Sequence, residues 1–75
     1  MQEKNIENES LRNFSKNIRE LRLKSNETQL SISMKLKLDY RGYQKMESKN
    51  PPDIKFSTII KFLKFYNIKF EDLIK

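Results

Sequence analysis

The side chains in this sequence that could do chemistry are mostly cations. Sixteen Lys and Arg stand against ten Asp and Glu, a formal charge of +6, and histidine and cysteine are both absent. Without histidine there is no general base poised near neutral pH and no imidazole metal ligand; without cysteine there is no thiolate ligand and no disulfide. Glu71 and Asp72 are adjacent carboxylates, but neighbours on a helix point in different directions and make a poor acid–base pair. A single glycine, Gly42, cannot build a glycine-rich phosphate loop. The composition therefore points away from an enzyme and from any metal or cofactor. It points toward electrostatic binding of a polyanion. Residues 1–9 hold three Glu and one Lys, so the remaining chain carries a net +8.

The elements that must position these cations are helical. A chain of 75 residues has room for one small domain with a thin core, which a partner subunit would help to stabilise. Hydrophobic residues make up 36% and charged residues 35%, yet the apolar residues cluster, against a wholly disordered chain. No apolar run is long enough to span a bilayer, and "MQEKNIENES" is too polar for a secretion signal. Together with the absence of cysteine, this predicts a cytoplasmic protein.

Residues 1–9 have no apolar periodicity beyond Ile6 and are expected to form a polar, flexible tail ahead of a domain at 10–75. From Ser10, a plausible N-cap, Leu11, Phe14, Ile18 and Leu21 recur at three- and four-residue spacings and predict a first helix ending near "SNE" at 25–27. Thr28 can cap a second helix whose inward face is Ile32 and Leu36. Asp39 can cap a third, over "YRGYQKMES". Two caps eleven residues apart predict two short helices and a corner, with Leu38 at the bend. "NPPD" ends the third helix, since proline lacks an amide donor and biases its predecessor away from α. Ser57 can cap a fourth helix, Asn67 can take the left-handed position after it, and a fifth runs from about Phe70 to Ile74.

Counted from Gln29, this corner matches a helix-turn-helix template. Ser33 is the small residue at which steeply crossing helices touch, and Lys37 lies in the turn. Ile32, Leu36, Leu38, Tyr43 and Met46 are the apolar positions facing a shared core. With "NIRELR" before it and "NIKFEDL" after it, residues 14 to 74 resemble the Cro/phage-repressor (xenobiotic-response-element type) family of DNA-binding domains. Lys37 stands where the family prefers glycine, Ser33 where it usually has alanine, and the loop "SKNPPDIKF" is about two residues longer than the family's.

The resemblance implies an all-α fold, a compact five-helix repressor-like domain that binds double-stranded DNA. It implies a structural ion pair between Arg22 and Glu47. It turns the third helix outward along Tyr40, Arg41, Gln44, Lys45 and Ser48. Arginine can bind guanine O6 and N7 in bidentate fashion, and glutamine can do the same with adenine N6 and N7. Thr28 and Gln29, at the start of the second helix, are expected to hold a phosphate, and Lys35, Lys37, Lys49, Asn50 and Lys55 flank the groove as further phosphate contacts.

Two other readings compete. Lys55, Lys61, Lys64 and Lys69 interleaved with Phe and Ile would suit a basic helix on a membrane surface, but the resemblance makes those apolar positions core, and no membrane partner is expected. Ile60, Phe65, Phe70 and Ile74 are left over, and Phe65, Phe70 and Ile74 are expected to form a homodimer interface. The expected function is a transcriptional regulator that binds a palindromic operator as a homodimer, like a phage Cro protein or a restriction–modification controller. The alternative is an antitoxin-type interaction module that neutralises a toxin protein, with DNA binding secondary.

Overall fold

The computed structural model describes the backbone of residues 2–75 and the side chains of residues 9–75. Five helices follow one another: α1 (Gln2–Lys24), α2 (Gln29–Lys35), α3 (Tyr40–Met46), α4 (Phe56–Tyr66) and α5 (Phe70–Ile74). No strand occurs among the described residues. No helix among them is long and apolar enough to cross a membrane.

The corner between α2 and α3 is built by local chemistry. Thr28 caps α2 through its hydroxyl, which accepts from the Ser31 amide at 3.0 Å, while the Ser31 hydroxyl accepts from the Thr28 amide at 3.0 Å. That reciprocal pair satisfies two amides that a bare helix end would leave open. Past α2, Lys37 turns the chain with φ 57, and the Leu38 amide donates back to the Ser33 carbonyl at 2.8 Å. Asp39 then caps α3, its carboxylate accepting from the Gly42 amide at 2.8 Å. Ser33, 1% exposed, lets α2 and α3 pack closely, and its hydroxyl is satisfied by donating to the Leu30 carbonyl.

Two expected starts are corrected. α1 does not begin at Ser10; it runs back to Gln2 through the stretch expected as a flexible tail. Residues 2–9 contain neither glycine nor proline and are rich in Gln, Glu and Lys, good helix formers. Nothing at Ser10 interrupts the backbone ladder. α4 begins at Phe56, with Lys55 in the cap position and no side-chain cap. The Lys55 carbonyl already accepts from both the Thr58 and Ile59 amides, so Ser57 falls inside the first turn.

The core forms where the helices meet: Phe14, Ile18, Ile32, Leu36, Tyr43, Phe62 and Leu73 are buried, with Leu21, Leu38, Met46, Ile59, Leu63 and Tyr66 packed around them. Phe14 stands edge-on to Phe62 at 5.5 Å between ring centres, a favoured aromatic geometry. Each such side chain contributes about 1.5–3 kcal/mol through apolar area removed from water. Asn67 ends α4 in the left-handed conformation, φ 55. α5 is short, and α1 secures its open end. Asn13 Nδ2 donates to the Ile74 carbonyl at 3.2 Å and Asn17 Nδ2 to the Leu73 carbonyl at 2.8 Å, satisfying acceptors that have no partner inside so short a helix.

Candidate functional site

α3 is held from behind by one carboxylate. Glu47, 8% exposed, accepts from Arg22 Nε at 2.7 Å and Arg22 Nη2 at 3.0 Å, a two-point fork between α1 and the end of α3. It also accepts from Gln29 Nε2 at 3.0 Å and from the Tyr43 hydroxyl. Three elements therefore converge on one side chain. Burial by itself would push the Glu47 carboxyl up, but the hydrogen bonds from Arg22, Tyr43 and Gln29 outweigh it and hold the group below the usual carboxylate range. The same bond to Glu47 raises the Arg22 guanidinium. Burial, then the bond to Glu47, pushes the Tyr43 phenol well above its ordinary value. The ionised pair persists across the neutral range.

With its back fixed, α3 presents its other side to solvent. Tyr40, Arg41, Gln44, Lys45 and Ser48 are all exposed. The side chains of Arg41, Gln44 and Lys45 bond to no other residue among those described. Ser48 turns its hydroxyl back onto the Lys45 carbonyl at 2.6 Å. Gly42 lies within this helix, and the Cβ of an alanine there would meet nothing closer than Asp39 Oδ2 at 3.5 Å. Neither crowding nor backbone conformation within the chain requires glycine at this position.

The residues expected to touch phosphate divide into two groups. Lys37, Lys49, Asn50 and Lys55 are exposed around the rim of the α3 face, and the three lysines have no acidic partner among the described residues. The others are already engaged. Thr28 is used in capping, Gln29 is turned inward to Glu47, and Lys35 Nζ lies 2.5 Å from Glu27 Oε2. The Glu27 carboxylate also accepts from the Ser31 hydroxyl at 2.6 Å. Lys35 and then Ser31 hold it below its usual range. An acidic group thus already stands at the start of α2, where the sequence places a phosphate.

Of the expected interface residues, Phe65 and Phe70 are 43% and 45% exposed. Phe70 and Ile74 share a shallow apolar depression with Leu11, Ile54 and Ile59. Phe65 stands apart from it, edge-on to Tyr66 at 5.0 Å. Sequence reasoning placed Tyr43 in the core but missed its hydroxyl bond to Glu47, although the four-residue spacing on one helix was the available signal. Gln29 carried no such signal, because only the packing of α2 against α3 brings it to Glu47. No protein-family model, no curated protein and no solved structure matches this chain. Its function must be argued from the chemistry of the site.

Proposed function

We propose that this protein is a DNA-binding transcriptional regulator that reads a palindromic operator as a homodimer. The observation that carries the reading is the outward face of α3, where Arg41, Gln44 and Lys45 stand exposed and uncommitted on a helix locked from behind by Glu47. A helix is narrow enough to enter the major groove of B-DNA, about 12 Å wide. Rigid support from behind matters, because a base contact needs the donor held in place before binding. Lys37, Lys49 and Lys55 at the rim supply the sequence-independent attraction to phosphate that brings the reader helix to the duplex. A helix of seven residues contacts few bases, so selectivity calls for a second copy whose α3 lies about 34 Å away, one turn of DNA. Phe65 and Phe70 are among the exposed apolar groups available to join two copies, beside the more exposed Phe56, Met34 and Leu23.

Selection of bound duplexes from a random pool tests the reading, and a palindromic consensus is the expected result. On that consensus Arg41→Ala or Gln44→Ala should cost about 1–3 kcal/mol and flatten the preference, while binding to scrambled duplex changes little. Equal losses on both duplexes would show that these side chains do not read sequence. A pool with no enrichment would remove the proposal.

A further inference from the structure

Beyond α3, the surface carries an open cleft of about 530 Å³ between the outer side of α1 and the segment that follows α3. Its α1 wall carries Arg12, Lys16 and Arg19, and Ser48 and Lys49 form the opposite wall. A second depression places Arg12 beside Lys49 and Asn50. The two walls are tied where they meet, because the Ser15 hydroxyl donates to the Ser48 carbonyl at 3.0 Å. Four cations thus face one cleft, and none of them has an acidic partner among the described residues. The acids there are Glu20 and Glu47, and Glu47 is already neutralised by Arg22.

We infer that this cleft is a second anion-binding surface, which clamps the sugar–phosphate backbone of the duplex whose groove α3 enters. The inference rests on the DNA-binding reading above and extends it. Three features of the cleft support a phosphate backbone as the occupant. Positions 12, 16 and 19 follow one face of α1 at helical spacing, so their charges form a line about 10 Å long at a rise of about 1.5 Å per residue. Charges repeat regularly along each DNA strand, so a line of three cations can meet two or three phosphates. Arg12 and Arg19 also bring guanidinium forks, whose planar donors suit phosphate oxygens better than an ammonium does. Finally, the cleft is continuous with the α3 face, since Ser48 and Lys49 belong to both.

The test uses the full chain, with two triple variants of equal charge. Arg12→Gln, Lys16→Gln and Arg19→Gln together strip the cations from the α1 wall of the cleft. Lys24→Gln, Lys64→Gln and Lys69→Gln remove the same charge from exposed positions elsewhere. Glutamine keeps helix propensity close to that of the residues it replaces, and circular dichroism verifies that both fold. Duplex affinity is measured against salt for the preferred and a scrambled sequence. The cleft variant should lower the slope of log K against log salt by about 0.9 for each lost phosphate contact, about 2–3 in all, and equally on both duplexes. The charge-matched variant should keep a slope close to the parent's. Equal slopes in the parent and the cleft variant would overturn the clamp while leaving the α3 reading intact. So would equal losses in the two variants, which would reduce the effect to net charge. A parent protein that binds no duplex would overturn both proposals together.

Discussion

Removing Arg22 should reverse the pH dependence that Glu47 imposes on folding. In the parent the carboxyl is held below its ordinary pKa, so the folded state keeps it ionised more strongly than the unfolded chain does. Its contribution is therefore complete above the unfolded value, about 4.3, and is lost as pH falls through the folded value. Arg22→Ala takes away the fork and leaves a side chain only 2% exposed with two neutral donors, Tyr43 and Gln29. Breaking a buried pair costs about 3–5 kcal/mol. The protein can limit that loss by protonating Glu47, which burial now favours. Keeping a carboxyl of ordinary pKa protonated at pH 7 costs about 3.7 kcal/mol. The two figures agree, so we expect a loss of about 3–4 kcal/mol at neutral pH.

That loss is large for this protein. At roughly 0.05–0.15 kcal/mol per residue, 75 residues hold about 4–11 kcal/mol in all. The variant's raised carboxyl contributes fully below the unfolded pKa and is lost as pH rises through the folded one, the opposite sign to the parent. Urea unfolding followed by helical circular dichroism, at steps from about pH 7 down to about pH 5, measures the difference between the two proteins. It should shrink by up to about 1.4 kcal/mol per pH unit. Glu47→Gln, which cannot titrate at this site, should lose both dependences. A difference that stays constant across the range would refute the reasoning, since it would mean that Glu47 keeps its charge without Arg22.

Three further outcomes are expected. Gly42→Ala should raise stability by about 0.5–1 kcal/mol, because a Cβ has room there and the helix gains propensity; a lower urea midpoint would show a packing role for the glycine. The Tyr66 hydroxyl is buried without a partner among the described residues, and burial, followed by repulsion from Glu27 and Glu47, pushes the phenol up to about 12. Tyr66→Phe should therefore gain about 1 kcal/mol in thermal or urea unfolding, and a loss instead would reveal a bonded partner for that oxygen. Phe65→Glu should leave a folded monomer that binds DNA weakly and without cooperativity. In sedimentation at micromolar concentration, a monomeric parent, or a variant that dimerises as well as the parent, would rule out this interface.

Much of this protein was legible from runs of a few residues, because caps, turns and apolar spacing act over one or two helical turns. Thr28 and Asp39 as caps, Asn67 in the left-handed region, and Ile32, Leu36 and Tyr43 facing inward follow from residue type and spacing. The side of α3 that faces solvent came from the helix-turn-helix template and not from local geometry. Local propensity also sets the start of α1, for residues 2–9 are good helix formers whatever their lack of apolar rhythm. The tertiary structure decided which polar groups remain free. Packing of α2 on α3 turns Gln29 onto Glu47 across 18 residues of sequence. Asn13 reaches the carbonyl of Ile74 across 61. Packing of α1 beside the segment after α3 sets Lys49 across a cleft from Arg12, Lys16 and Arg19, which helical spacing already aligns on α1. A side chain's partner at such separations is set by where the helix axes cross, and no short pattern encodes that crossing. Composition alone could supply the sixteen cations; only the fold determined which of them share a surface.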